Sequence, residues 1–361
     1  MVGAWLPVAL LAAYQVVRLL RVAWMRHITG KPIAPQGFLC GWAVDYTEHD
    51  LASSRLLRQK SVLPNYAYPY FFGGAYESNI LASTGAEWLR QRAMVHPLIV
   101  QRSERFAELA RETPLRLPLG RGVWLPRAIG EHAANISAAA LGTACPVDVV
   151  SIWYRVAVLC ILTSTIADCW RPLGRLLLRH TALDQQLRAF VQRSADPEVR
   201  EVRDACGLLG TLGHLWAISL GSTIPETSVV CDILEELAAH TSLQSSVRGW
   251  IREGGKDDPR FLEWIQGRCH RYVFFWTSKP RDDGGAAAVV SLDSVGAPFG
   301  LGQRRCPGAR IGMRTVSLIV AAVLLDHELS LARAPCLRRQ TLGIHHLFRP
   351  CLVSITAASS T

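Results

Sequence analysis

Residues 299–308 read Phe-Gly-Leu-Gly-Gln-Arg-Arg-Cys-Pro-Gly, and this stretch governs the interpretation of the whole chain. A glycine-rich loop leads Cys306 to the start of a segment predicted to be an apolar helix. The positive end of a helix lowers the pKa of a nearby thiol and so favours thiolate. Backbone N–H groups near Gly308 can point at the sulfur, Phe299 can shield it from water, and Arg304 supplies a cation for an anionic group. The stretch therefore predicts a metal–thiolate site, although Cys306 alone would fit a buried cysteine at a helix start.

The same ten residues match Phe-x-x-Gly-x-Arg-x-Cys-x-Gly at every fixed position, which resembles the haem-binding signature of the cytochrome P-450 family. The resemblance implies haem b as cofactor, with Cys306 as the axial thiolate, Arg304 on a haem propionate and Phe299 beside the sulfur. Thiolate ligation pushes electron density onto iron and favours O–O cleavage. The cofactor-binding positions implied by the motif are Phe299, Gly302, Arg304, Cys306 and Gly308.

A second stretch, Trp88-Leu-Arg-Gln-Arg92, resembles the Trp-x-x-x-Arg helix of the same family. Four-residue spacing places both side chains on one face of a helix, where they can reach a common carboxylate. The resemblance implies that Trp88 and Arg92 bind a haem propionate. The alternative is a core tryptophan next to a solvated arginine.

A third stretch, Thr223-Ile-Pro-Glu-Thr-Ser228, resembles the oxygen-activation motif of the family, in which an acid precedes a threonine. The resemblance implies that Glu226 and Thr227 are catalytic and deliver protons, as general acid–base groups do. Pro225 lacks an N–H, so we expect the helix to kink there and to free a backbone carbonyl. Ile224 stands where most members carry glycine, a variant similar to fungal members that act on terpenoids or related lipids. The alternative is a kinked core helix.

Two features depart from the family pattern. The family carries Glu-x-x-Arg on the helix before the cysteine loop, but here Arg268 stands where the glutamate is expected, one turn before Arg271. Two like charges at this spacing repel. Only 35 positions separate Arg271 from Cys306, about half the usual interval, so the fold is expected to be internally shortened. We expect Arg271 to face solvent or to find an acid in the shortened loop, where the candidates are Asp282, Asp283 and Asp293.

The N-terminus reads as a membrane anchor. Residues 2–17 are almost wholly apolar, and Arg18, Arg21 and Arg26 follow. A membrane-spanning helix needs about 20 apolar residues, and basic residues favour the cytosolic side. A cleaved signal peptide would carry its positive charges before the apolar run. We therefore expect an anchor over 1–26, a proline-containing hinge over 27–37 and a haem–thiolate domain over 38–361.

The composition of the chain limits the classes of protein to which it can belong. Half of the 361 residues are hydrophobic and 19% are charged, which favours a large buried core over disorder. The formal charge of +10 suits an acidic partner or an anionic membrane surface, and no nucleic-acid-binding signature accompanies it. The ten cysteines include no Cys-x-x-Cys pair, which argues against a zinc ribbon or a disulfide scaffold.

Hydrophobic periodicity predicts a mainly α protein with small β sheets. We expect a loop over 277–302 and an interruption of the longest helix at 221–225. Helices are expected at 85–111, 148–180, 196–239, 259–272 and 306–325, and strands at 329–331 and 352–355.

The resemblance implies the cytochrome P-450 fold and a monooxygenase that hydroxylates an apolar substrate, such as a terpenoid, a steroid or another lipid of secondary metabolism. Electrons would come from NADPH through NADPH–cytochrome P-450 reductase, with cytochrome b5 as a further partner. The enzyme would be single-pass in the endoplasmic reticulum membrane, with its catalytic domain in the cytosol. The alternatives are a peroxide-driven or isomerising haem–thiolate enzyme and a non-catalytic membrane protein of the same fold.

Overall fold

The computed structural model describes residues 79–80, 83, 85–144, 181–271, 276–279, 288–291, 299, 305–332 and 352–358, together with the isolated positions 13 and 16. These residues are mainly helical with a small sheet, as the periodicity predicted. The helices are α1 Gly85–Gln101, α2 Ser103–Glu112, α3 Leu125–Ala140, α4 Ala182–Arg193, α5 Pro197–Ala239, α6 Thr241–Gly254, α7 Pro259–Arg271 and α8 Ala309–Asp326. The strands are β1 Gly120–Trp124, β2 Trp276–Lys279, β3 Ala288–Ser291, β4 His327–Leu331 and β5 Leu352–Ala357.

The core forms around α5 and α8, which pack against each other, with α3, α6, α7 and the sheet around them. Along α5, the face made by Val230, Ile233, Leu234 and Leu237 is fully buried. Burying such side chains contributes about 1.5–3 kcal/mol each, which explains why these two helices organise the domain. In the sheet, β5 lies between β1 and β4 and is antiparallel to both.

Helix α5 begins as predicted, but it bends at a different place. The Asp196 side chain accepts hydrogen bonds from the backbone N–H groups of Glu198 and Val199, the expected N-cap. The predicted interruption at 221–225 is wrong, because the residues around Pro225 keep helical dihedrals. The non-helical residue is Gly207, with φ 69° and ψ 177°.

Two other local predictions need correction. The predicted helix over 85–111 is two helices, because the chain turns at Arg102 between α1 and α2. The predicted loop over 277–302 contains an antiparallel hairpin, in which Trp276 pairs with Ser291 and Lys279 pairs with Ala288. The predicted helix over 148–180 lies outside the described residues.

Among the described residues, only α5 is long and apolar enough to cross a membrane. Its most apolar window has a mean hydropathy of 1.2, and 44% of that window is buried inside the protein. A buried core helix meets the same criteria, and α5 packs against α3, α4 and α8. The predicted anchor over 1–26 lies outside the described residues except for Ala13 and Val16.

Candidate functional site

The cysteine loop leads directly into α8. The backbone N–H of Cys306 donates to the carbonyl oxygen of Phe299 at 2.7 Å, which closes the loop. The helix begins at Ala309, with Gly308 as its N-cap, and not at Cys306 as predicted. Cys306 therefore lies just outside the first turn of α8, with its sulfur near the positive end of the helix.

The groups around Cys306 shift the pKa of its thiol in opposite directions. Cys306 is exposed to solvent, yet protein atoms crowd it enough that desolvation raises the pKa of its thiol. The N–H of Gly308 donates to the sulfur and lowers that pKa, as do the positive charges of Arg92 and Arg305, while Glu226 raises it. The predicted donation from Gly308 is thus present. The pKa of the thiol is raised and not lowered as predicted, because desolvation is a larger effect than the Gly308 N–H and the two arginines.

Helix α1 brings its arginine to the cysteine loop. Trp88 is 3% exposed and Arg92 is half-buried, so both face inward, as their spacing predicted. The Arg92 guanidinium donates from Nη2 to the carbonyl oxygen of Arg305 at 2.9 Å. Burial lowers the pKa of Arg92, and the nearby Cys306 opposes that shift. Two motifs more than 200 residues apart in sequence are therefore joined by a hydrogen bond to the residue that precedes the cysteine.

Glu226 and Thr227 are both buried in α5, and the Glu226 carboxyl lies near the cysteine loop. A methyl group built at Gly312 would lie 3.9 Å from Glu226 Oε1 and 3.4 Å from the Phe299 ring. The Glu226 carboxyl and the Phe299 ring therefore both lie close to Gly312 of α8, where the missing side chain leaves room. Desolvation raises the pKa of Glu226 well above its ordinary value, which favours the protonated acid.

The hydroxyl of Thr227 is already used within the helix. It donates to the carbonyl oxygen of Thr223 at 2.7 Å, and the hydroxyl of Thr223 donates to Ser219 in the same way at 2.7 Å. Because a hydroxyl oxygen also has two acceptor lone pairs, Thr227 can still accept a hydrogen bond.

The described residues near Cys306 include groups that could hold a haem. A single thiolate ligand needs an N–H donor to the sulfur, which Gly308 provides, and the acidic propionates need a cation, which Arg92 provides beside the loop. The further predicted positions Gly302 and Arg304 lie outside the described residues.

Arg268 forms an ion pair that the sequence analysis did not predict. Its guanidinium makes a bidentate ion pair with Glu236 of α5, with Nε–Oε2 at 2.8 Å and Nη2–Oε1 at 3.0 Å, and it lies 5.0 Å from the centre of the Trp264 ring. Bidentate pairs of this kind are among the stronger hydrogen bonds of proteins. The sequence indicated no partner for Arg268, and the structure pairs it with an acid of a different helix. The side chain of Arg271 and the three loop aspartates lie outside the described residues.

We expect Glu236→Gln to lower the free energy of unfolding by about 2 kcal/mol, because Arg268 is left without its charged partner in a partly buried place. Urea unfolding followed by circular dichroism measures the change. The control is Glu263→Gln, which neutralises an exposed glutamate on α7 and should change stability by less than about 0.5 kcal/mol. Equal effects of the two changes would show that the Arg268–Glu236 pair does not join α7 to α5.

No family model matches the chain. No curated protein matches it either.

Proposed function

We propose that the chain is a haem–thiolate monooxygenase of cytochrome P-450 type that oxidises an apolar substrate. The observation that carries the proposal is the meeting of α1 with the cysteine loop, where Arg92 donates to the carbonyl of the residue before Cys306. A cysteine that precedes a helix only by chance would not be expected to lie next to the Trp88–Arg92 motif as well. The resemblance of residues 299–308, 88–92 and 223–228 to family motifs supports the same function.

In this proposal the cysteine loop and α1 hold the cofactor. Cys306 provides the thiolate, and the Gly308 N–H stabilises its negative charge. A thiol whose pKa is raised by burial still ligates a metal, because coordination deprotonates it. Arg92 and Arg304 would neutralise the propionates, and the indole N–H of Trp88 would donate a hydrogen bond to one of them. Bound haem would supply the activation of dioxygen at this place.

Helix α5 would supply the groups that deliver protons, Glu226 and Thr227. Burial of Glu226 near the loop raises its pKa, which favours the protonated form that a general acid needs. Thr227, one residue further on, can accept a hydrogen bond from water or a ligand and so extend a path for protons. The electrons would come from NADPH through a reductase, with cytochrome b5 as a further donor, and the basic charge of the chain suits an acidic docking surface.

A peroxide-driven or isomerising haem–thiolate enzyme is the second candidate. The observation in its favour is that the Thr227 hydroxyl donates within its own helix, so its proton is not directed to a ligand. Such chemistry would not require Glu226 and Thr227. Dependence on a reductase separates the two candidates, because only the monooxygenase needs one.

The proposal is tested by the haem content of the purified full-length chain. We expect about one haem per chain by the alkaline pyridine assay. Replacement of Arg92 by alanine should reduce retention of haem on gel filtration, whereas Arg310→Ala should not, because Arg310 is an exposed residue on α8. A chain that folds, as judged by its helical circular dichroism, but takes up no haem would contradict the proposal.

We expect Thr227→Ala to uncouple electron supply from oxidation, so that a larger share of the NADPH consumed appears as hydrogen peroxide. Loss of the hydroxyl interrupts the path for protons next to Glu226. The matched control is Thr223→Ala, which removes the same helix-internal hydroxyl bond one turn earlier. If both variants release the same peroxide per NADPH as the unchanged chain, Thr227 is a helix residue without a catalytic role.

We propose that residues 1–26 anchor the enzyme in the endoplasmic reticulum membrane with the haem domain in the cytosol. Deletion of these residues should release the protein from sedimented membranes without loss of haem, because the core begins further along the chain. Retention of the shortened chain on the membrane pellet would mean that another apolar surface binds lipid.

A further inference from the structure

Three side chains with soft or nitrogen donors meet where α1 crosses the kink of α5. The sulfur of Cys206 lies 3.5 Å from the Met94 sulfur and 3.8 Å from His214 Nε2. His214 is fully buried, whereas Met94 and Cys206 are half-buried and so remain within reach of small solutes. None of the three belongs to the site around Cys306.

The backbone is shaped to bring Cys206 to this place. Gly207 has φ 69°, a conformation that favours glycine, and it breaks the helix directly after the cysteine. A methyl group at Gly210 would lie 2.6 Å from the Cys206 β-carbon, so Cys206 lies over the backbone of Gly210 at a distance that no side chain allows. Both glycines are therefore required to turn the thiol towards α1.

The hydrogen bonds of the cluster have a defined direction. The backbone N–H of Ile80 donates to His214 Nδ1 at 3.2 Å, so in the neutral ring the proton is on Nε2. Burial lowers the pKa of His214 to about 4, which keeps the ring neutral. His214 Nε2–H therefore faces the Cys206 sulfur as a donor, and the thiol of Cys206 donates in turn to the Met94 sulfur. One proton lies between two sulfur atoms.

We propose that Cys206 and Met94 form a binding site for a soft monovalent metal ion, Cu(I), which replaces that proton. The ion binds the Cys206 thiolate and the Met94 thioether, the thiol proton leaves to solvent, and no electron is transferred. Thiolate and thioether sulfurs are the donors that select Cu(I). The His214 Nε2–H then donates to the thiolate and holds it in place, as hydrogen-bonded neighbours of metal ligands do.

Charge and geometry both favour a monovalent ion at this place. Exchange of a proton for Cu(I) leaves the net charge unchanged, so the half-buried site bears no new charge, whereas a divalent ion would add one. Sulfur atoms around a metal with bonds of about 2.3 Å lie roughly 3.5–4.5 Å apart, and the unbranched Met94 side chain can adjust within that range. No group of three or more His, Cys, Asp or Glu side chains suited to a metal occurs in the part of the chain that the structure describes.

The test uses Ag(I), a soft monovalent ion that resists oxidation, and the full-length chain with ¹³C-labelled methionine methyl groups. The chain has four methionines, and Met94→Leu assigns the Met94 signal. We expect Ag(I) to shift the Met94 signal and to leave that of Met313, on α8, in place. In Cys206→Ser, the same shift should require roughly tenfold more Ag(I), since a thioether alone binds weakly.

The controls separate this site from the other thiols. Cys306→Ser removes the exposed thiol of the cysteine loop and should leave the shift of the Met94 signal unchanged. Zn²⁺ in place of Ag(I) should not move the Met94 signal. The proposal is overturned if excess Ag(I) leaves that signal unmoved, or if Cys206→Ser and Cys206→Ala, with unchanged helical circular dichroism, show the same shift as the unchanged chain.

Discussion

Replacement of Arg248 by methionine is expected to lower the free energy of unfolding by about 3–5 kcal/mol, a large share of the stability of most domains. Arg248 on α6 is 8% exposed and reaches across to the end of α8. Its Nε donates to the carbonyl of Leu324 at 2.7 Å, and its Nη2 donates to the carbonyl of His327 at 2.9 Å and to Gln244 Oε1 at 3.1 Å. Methionine fills the space of the aliphatic stem but removes the donor to the carbonyls of Leu324 and His327, and it leaves Gln244 Oε1 with the N–H of Leu329 alone.

Gln244 extends the same contact into the sheet. It donates to the carbonyl of Leu329 at 2.9 Å and accepts from the N–H of Leu329 at 2.9 Å, so it pairs with β4 as a neighbouring strand would. Together Arg248 and Gln244 fix the end of the helix that begins at the cysteine loop. Loss of Arg248 should therefore also loosen the support of Cys306 from the far end of α8.

The effect of Arg248→Met is measured by urea unfolding followed by circular dichroism. The control is Arg310→Met, because Arg310 is also joined to another helix, through an ion pair with Glu104 at 3.1 Å, but both side chains are exposed. An exposed pair contributes about 0–1 kcal/mol. If Arg248→Met costs no more than Arg310→Met, the buried hydrogen bonds of Arg248 do not stabilise the fold.

Much of the helical architecture could be predicted, because it depends on local patterns. The N-cap at Asp196 and the apolar face of α5 are visible in the sequence, as are α7 and the strands β4 and β5. The position of the kink in α5 was not, since proline at 225 is the stronger sequence signal and glycine at 207 is tolerated in many helices. The surrounding core holds Pro225 in a helix.

Long-range partners were the hardest part of the site to predict. The resemblance placed Arg92 and Cys306 in one site, and the structure brings them together, but the hydrogen bond goes to a backbone carbonyl that no motif marks. For Arg268 the sequence suggested only repulsion from Arg271, whereas the structure gives it a partner, Glu236, which lies 32 residues earlier on α5. Such pairs depend on how helices pack, which spacing along one helix does not reveal. The cluster of Met94 and Cys206 depends on the crossing of α1 and α5 in the same way.

We propose that Cys306 ligates haem iron as a thiolate. If it does, Cys306→Ala should lose the spectrum of thiolate ligation entirely, because a thiolate ligand is what pushes electron density onto the iron. Cys306→Ser separates loss of the ligand from loss of the fold, since it replaces one sulfur by oxygen. The control is Cys206→Ser, which removes a half-buried thiol elsewhere in the chain.

The most direct measurement is the difference spectrum of the purified full-length chain, reduced with dithionite, with and without carbon monoxide. We expect a Soret band shifted to the red in the unchanged chain and in Cys206→Ser. We expect no such band in Cys306→Ala or in Cys306→Ser. A red-shifted band that persists in Cys306→Ala would assign the thiolate to another cysteine. A folded, haem-loaded chain that lacks the band altogether would contradict the claim that this is a haem–thiolate protein.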